Sequence, residues 1–506
     1  MSPSCTLALR FSARESDNCK VPTKAPNKDP QGSTEGLEGR RLILRFSAKE
    51  NTGESNPSRT GDGSIGSRGL QGVREAAKKD QGRRCTALLH HVDEALLTAS
   101  FYSLKRDAAV GVDQVTWQEY EQGVEERIKD LHGRVHRGAY RAQPSRRVYI
   151  PKPDGRQRPL GIAALEDKIV QRAVVTVLEQ IYEEDFVGFS YGFRPGKSAH
   201  DALDALTVGI VDKKVNWILD ADIRGFFDNL SHKQLVELIS RRVGDPRILR
   251  LIQKWLKAGV SEEGEWSETK VGVPQGAVIS PLLANVYLHY VFDKWANEWR
   301  QKHAAGAMIM VRYADDFVLG FQYRKEAERF LEQLQERLRE YGLELHPEKT
   351  RLIQFGRFAA IDRRRDGEGR PETFNFLGFT HICGTTSKGR FIVQRKTMGK
   401  RQAAKLKSLR VELRRRMHQP IAKVGKWLRA VVQGYFNYFA VPGNFPRLNS
   451  FQCEVTRLWW QVVRRRSQRA LKSTVFYRIV AHYLPRPKIL HPYPTARFYA
   501  SSKAPR

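Results

Sequence analysis

The stretch Met308-Ile-Met-Val-Arg-Tyr-Ala-Asp-Asp-Phe-Val-Leu-Gly-Phe321 holds two apolar runs, Met308 to Arg312 and Phe317 to Phe321, joined by Tyr313-Ala314-Asp315-Asp316. Two such runs about a short polar connection predict a β-hairpin with both carboxylates at its turn. Adjacent like charges repel, so this turn calls for a cation, and a divalent metal ion is the economical one. An isolated Asp-Asp would read as an ordinary surface turn, because Asp favours turns for local reasons. A second run shifts the balance. Trp217-Ile-Leu-Asp-Ala-Asp222 reads as a buried strand ending in acids, followed by Ile223-Arg-Gly-Phe-Phe-Asp228. Asp222 at the end of such a strand can join Asp315 and Asp316 around metal; a plain strand-end cap is the alternative. Mg²⁺, which takes a few carboxylates together with phosphate oxygens, suits that set.

Working outward, the chain has 506 residues, enough for two or three domains. Its 87 Lys and Arg against 55 Asp and Glu leave a net charge of +32. From Phe391 to Arg506 there are 26 Lys and Arg against two acids, Glu412 and Glu454, a balance of +24. A polyanion is the partner such a segment expects, since neutralising phosphates releases counterions. Trp427, Tyr435, Phe436, Tyr438, Phe439, Trp459 and Trp460 lie among those charges, so a folded helical module is expected there, not a loose tail. No run of 18 apolar residues suggests a membrane span, and no secretory leader is recognisable. The five scattered cysteines have no Cys-x-x-Cys pair, which argues against zinc and for a reducing compartment. A cytoplasmic protein with no membrane partner is the expectation.

Residues 1–80 are rich in Gly, Ser, Pro and charge and read as a disordered, low-complexity extension. They contain a duplication, Leu7–Glu15 repeated at Leu42–Glu50. Helical spacing is predicted through Ile169, Val170, Ala173, Val174, Val177, Leu178 and Ile181. It recurs through Ala327, Phe330, Leu331, Leu334, Leu338 and Tyr341. Val215 to Leu219 reads as a strand. After about residue 395 the pattern is helical and basic, broken at Val441-Pro-Gly-Asn444.

Ordered blocks then carry a resemblance. They are Gly111–Thr116, Ile150–Gly161, Phe189-Ser-Tyr-Gly-Phe-Arg-Pro-Gly196, the Asp222 run, Pro274-Gln-Gly276 with Ser280-Pro-Leu-Leu-Ala-Asn285, the acidic hairpin, Leu345-His-Pro-Glu-Lys349-Thr, and Phe376-Leu-Gly-Phe379. In this order the chain resembles the group II intron reverse transcriptases (intron-encoded maturases) over roughly residues 85–500. The resemblance implies an α/β, right-hand polymerase fold, with fingers and palm on antiparallel sheet over 81–390. An α-helical thumb or maturase X domain is implied over 391–506.

It also implies RNA-directed DNA synthesis from dNTPs by two-metal nucleotidyl transfer. The metal ligands would be Asp222, Ile223, Asp315 and Asp316, holding two Mg²⁺ ions with Mn²⁺ as a substitute. Lys152 and Arg158 flank a Pro-Asp-Gly turn from which both could reach a triphosphate, Arg with forked donors and Lys as a point charge. In similar enzymes Phe227 closes the space beneath the sugar, Gln275 lies near the nascent base pair, and Lys349 lies near the pyrophosphate as its proton donor. The sequence alone reads Lys349 equally well as a surface lysine. Phe376-Leu-Gly-Phe379 resembles the turn that grips the primer, or is a plain hydrophobic hairpin. The implied partners are an RNA template, a DNA primer and a group II intron RNA, bound largely by shape and backbone.

Two departures stand out. Gln114 occupies a place where the family commonly has Gly. No His-Asn-His cluster follows His491-Pro492, so a form lacking the endonuclease domain, priming from an existing 3′ end, is expected. The alternatives are a catalytically inactive RNA-binding maturase or chaperone, and a reverse transcriptase recruited to defence or repair. The sequence is silent on oligomeric state.

Overall fold

The acidic hairpin forms one side of a four-stranded antiparallel sheet. The computed structural model describes residues 64–151, 157–262, 264–268, 271–466 and 471–503. Its strands are β1 (Ser145–Pro151), β2 (Gln157–Ile162), β3 (Trp217–Asp222), β4 (Val260–Glu262), β5 (Glu265–Ser267), β6 (Met308–Tyr313), β7 (Asp316–Phe321), β8 (Arg351–Gln354), β9 (Phe374–Phe376), β10 (Phe379–Thr385) and β11 (Phe391–Thr397). The central sheet has the order β6-β7-β3-β8. Successive residues of its strands point to opposite faces, with the period of two that a pleated sheet imposes. Leu219, Ala221, Phe317, Leu319 and Phe321 enter one hydrophobic core. Ile218, Val311, Val318 and Ile353 enter a second. Both faces are therefore covered, and the acids lie where β3 and β7 run out of cover.

Helices fill the first core. Leu165–Asp185 carries the predicted apolar stripe from Ile169 to Ile181, and Arg324–Glu340 carries Ala327, Phe330, Leu334 and Leu338. The helix Ala199–Asp212 begins at a capping box, in which Ser198 and Asp201 bond each other's backbone N–H groups. A second sheet, β2-β1-β4-β5, holds the hairpin that contains Arg158. It is not wholly antiparallel as expected: β1 meets β4 in parallel through a short stretch at Ser145 and Arg146.

Three expectations are corrected. The disordered extension placed at 1–80 does not hold for its last part, because Ser64–Lys79 is a helix. Its Ala77 is buried, Arg74 bonds Glu184 at 2.6 Å, and the Ala77 carbonyl accepts from the buried Arg242. The duplicated segment falls outside the described residues. Of the two readings of this strand, 215–219 and Trp217–Asp222, the second is the observed one, since Asn216 caps the ladder through bonds to Phe321 and Phe355. The boundary placed at 390/391 is the start of β11, which pairs with β10 from Phe391 to Thr397. Helix begins only at Gly399.

Beyond β11 the chain is helical: Gly399–Arg415, Ile421–Phe439, Phe445–Val463, Ser473–Tyr483 and Pro494–Lys503. The aromatics pack inward, Tyr435 stacking on Phe451 with ring centroids 3.7 Å apart and Trp459 buried. Lys423, Lys426 and Arg429 remain exposed. This basic module shares its core with the second face of the central sheet. The buried Asp204 of the Ala199–Asp212 helix adds a polar tie, accepting from Arg395 at 2.8 Å and from Arg497. No helix among the described residues is long and apolar enough to cross a membrane.

Candidate active site

Register sets the acids side by side. β3 and β7 pair so that Asp222 is directly opposite Asp316, and Tyr313 pairs with Asp316 across the hairpin. Ala314 and Asp315 are the two turn residues. Directly opposed like charges destabilise a sheet, and the carboxylates respond. Burial, followed by the charges of Asp315, Asp222 and Asp220, pushes Asp316 up to about 7, against the pull of Lys349. Water still reaches Asp316, which tempers the effect of burial. Asp315 is raised too, by burial and then by Asp222, with Arg158 and Arg312 acting the other way. The Lys349 ammonium donates to Asp222 Oδ2 at 2.5 Å, so a cation does offset this cluster.

The segment that carries Lys349 is fixed by β3. His346 N–H donates to the Asp222 carbonyl at 2.7 Å, and Arg224 N–H donates to the Glu344 carbonyl at 2.8 Å. These bonds bracket the bridge between Ile223 and Leu345 and leave the Ile223 carbonyl out of it. The buried Ile223 side chain has nothing to offer a metal, so only that carbonyl could be a ligand.

Beneath the turn lies a fully buried guanidinium. Arg312 has five N–H donors, and all find acceptors. Nε and Nη2 hold Asp293 at 2.7 and 2.5 Å, and Nη2 also donates to Ser190 Oγ at 2.7 Å. Nη1 donates to Asn285 Oδ1 at 3.0 Å and to the Ala314 carbonyl at 2.9 Å. Asn285 in turn donates to the Gly192 carbonyl at 2.7 Å. Gly192 is pressed so close that a Cβ there would collide with the Ala314 backbone nitrogen. The runs Phe189–Gly196 and Ser280–Asn285 thus meet under the acidic turn and hold Ala314 at φ +58, a conformation L residues seldom adopt.

The opposite wall comes from the β1–β2 hairpin. Arg158 is exposed on β2 and its charge is felt at Asp315. Lys152 lies outside the described residues. The Gln275 carbonyl accepts from Gly161 N–H at 2.7 Å, while Val273 N–H donates to the Phe227 carbonyl at 2.8 Å. Gly276, at φ +110, permits that approach, because a Cβ would stand 2.9 Å from the Gly161 carbonyl oxygen. One connection therefore ties Arg158's strand, Gln275 and Phe227. The Phe227 ring is half-buried, edge-on to Phe226 at 5.2 Å.

The structure brings Asp222, Asp315, Asp316 and Lys349 together, with Arg158 on the facing side. Gln275 and Phe227 flank them through backbone links. Sequence reasoning missed the roles of Arg312 and Asp293. The signal available was a charged residue inside an otherwise apolar strand next to the turn. Phe376-Leu-Gly-Phe379 is a two-residue hairpin turn, with Leu377 at φ +46 and Gly378 at φ +83. Tyr438 from the basic helices donates to the Leu377 carbonyl at 2.7 Å. Gln114, in the place of the family's Gly, adopts φ +54, the conformation Gly would supply.

Comparison with known proteins agrees with this geometry. Residues 150–381 match the reverse transcriptase (RNA-dependent DNA polymerase) family. Protein YkfC of Escherichia coli is 37% identical over 238 residues, 41% of this chain and 62% of that protein. The group II intron-encoded protein LtrA of Lactococcus lactis is 42% identical over 179 residues, 35% of this chain and 29% of that protein. The putative COX1/OXI3 intron 2 protein of Saccharomyces cerevisiae is 34% identical over 181 residues, 34% of this chain and 20% of that protein. The chain thus spans less than two thirds of each of these relatives. By the family match over residues 150–381, by its intron-encoded relatives and by the acids at the end of its central sheet, the chain is similar to the reverse transcriptases of the group II intron-encoded kind.

Proposed function

We propose that the chain is an RNA-directed DNA polymerase that extends a DNA primer on an RNA template from dNTPs, and that it binds group II intron RNA as a maturase. The observation that carries this reading is the cross-strand pair Asp222 and Asp316, with Asp315 in the adjoining turn and Lys349 on Asp222. The donor set is all oxygen: three carboxylates and the Ile223 carbonyl. Among the described residues no three His, Cys, Asp or Glu side chains close into a ready-made metal cage. An all-oxygen set that leaves places for substrate phosphate and water fits Mg²⁺, or Mn²⁺ in its stead. When bound, two such ions supply the positive charge that offsets these acids and the charge developing on the transferred phosphate.

The protein's own groups divide the rest. Arg158 and Lys152 bind the triphosphate, and Gln275 orients the nascent base pair. Phe227 excludes a 2′-hydroxyl, favouring deoxynucleotides. Lys349 holds a proton on Nζ that it can pass to the leaving pyrophosphate. In this reading residues 81–390 are fingers and palm and 391–506 the thumb or X domain. The helix Ser64–Lys79 joins the body, and the remainder of 1–80 is a dispensable extension. Exposed basic residues beyond β11 suit contact with template–primer and structured RNA.

The test is primer extension on an RNA template with dNTPs and Mg²⁺. Wild type should extend, and Asp315→Ala/Asp316→Ala should lower the rate by on the order of a thousandfold. Equal extension by the two proteins would refute the reading. An arm with rNTPs checks Phe227, since efficient ribonucleotide use by wild type contradicts a sugar gate.

A further inference from the structure

Phe193 has no part in the chemistry above, yet the fold holds it in an unfavourable way. Its backbone is at φ +56, in the left-handed region that bulky residues avoid. The side chain is 58% exposed, so burial does not compensate for that conformation. The neighbours leave it little choice. Arg194 is buried and donates to Glu183, to the Val187 carbonyl at 2.9 Å and to the Ser190 carbonyl at 2.8 Å. Gly192 is clamped against Ala314 on the other side. Between these fixed points the Phe193 ring projects beside Tyr313, with centroids 6.2 Å apart and planes 43° from parallel. Tyr313 immediately precedes the acidic turn.

A strained, exposed aromatic at the edge of a reaction centre suits a ligand better than a core. The chemistry of the spot limits which one. The nearest charged side chain in the run, Arg194, is turned inward onto Glu183, so an apolar ring faces outward and its adjoining cation does not. A phosphate gains little from that; a base or sugar can lie on it. We propose that Phe193, together with Tyr313, is a substrate-contacting platform for the terminal nucleotide of the strand whose 3′ end reacts at Asp315 and Asp316. Stacking of this kind is indifferent to base identity, because every base has a π face. The proposal rests on the polymerase reading above.

Phe193→Gly is the informative variant, because Gly accepts the left-handed backbone and loses only the ring. Full-length wild type, Phe193→Gly and Phe193→Tyr are compared for thermal stability, for affinity to a DNA primer annealed to RNA, and for extension. Phe193→Gly should melt no lower than wild type while binding the primer–template roughly tenfold more weakly. Its KM for dNTP should stay unchanged, and Phe193→Tyr should bind as wild type does. Phe193→Gly with wild-type affinity and extension would overturn the proposal. So would a lower melting temperature with unchanged affinity, which would make the ring a brace for Tyr313. Failure of wild type to extend while still binding primer–template defeats the polymerase reading alone, since the binding arm needs no turnover. If wild type does not bind, both fall.

Discussion

Two hairpin turns in this protein solve the same backbone problem with different means. The β6–β7 turn is Ala314-Asp315 and the β9–β10 turn is Leu377-Gly378, each a two-residue connection. Positive φ is confined to the first residue in the acidic turn and found at both residues in the other. These are the sign patterns of type II′ and type I′ turns, which match the twist of antiparallel strands. In both, a residue with a side chain stands first where Gly would be easiest. The support beneath them differs. A neutral phenol holds the Leu377 carbonyl, whereas a buried guanidinium with all five donors satisfied holds the Ala314 carbonyl. The turn that must gather repelling carboxylates is the one fixed by a charge.

Arg312→Met breaks that asymmetry and should have the largest effect. It leaves the fully buried Asp293 without its partner, which costs about 3–5 kcal/mol in comparable pairs; urea denaturation reads it. Extension should be lost as well. Adding Asp293→Leu should recover much of the stability, because a buried ion pair is often replaceable by apolar residues. It should not recover extension, since the Ala314 carbonyl still lacks its donor. Restored extension in the double variant would show that the guanidinium serves packing alone.

The neutral hold should be weaker. Tyr438→Phe removes one hydrogen bond to Leu377 and should destabilise by about 1 kcal/mol. Because Tyr438 comes from the basic helices, the same variant measures how firmly they grip the hairpin. A stability loss as large as that of Arg312→Met would erase the difference between the two turns.

The same contrast explains what could be read without coordinates. Carboxylates at a predicted turn, alternating apolar strands and the stripes from Ile169 and Ala327 are local patterns, and each was legible. Lys349 was legible only through the family resemblance, because a lysine after His-Pro-Glu looks like any surface lysine until β3 pairing brings Leu345 against Ile223. Arg312 was quoted within a strand, yet its partners come from 19, 27 and 122 residues away. Separation of that size leaves no periodicity to detect. The strand β11 escaped notice for a related reason. Its basic residues resemble those of the helices that follow, and only pairing with β10 makes it a strand.

The smallest predicted effect separates backbone strain from the packing that hides it. Leaving the left-handed region unstrained is worth about 1–2 kcal/mol for an L residue. Replacement by Gly gives back about 0.4–1 kcal/mol through the freer unfolded chain. At Gln114, φ +54, the side chain is exposed and makes one long bond, 3.3 Å to the Gly111 carbonyl. Gln114→Gly should therefore stabilise by roughly 0.5 kcal/mol. Leu377 starts from φ +46 but packs on the second core. Leu377→Gly loses that contact, on the order of 1–2 kcal/mol for a partly buried aliphatic, so its net effect should be destabilising. Opposite signs in thermal melts of the two variants would separate the contributions. Stabilisation by both would mean that Leu377, like Gln114, is held in strain with little packing in return.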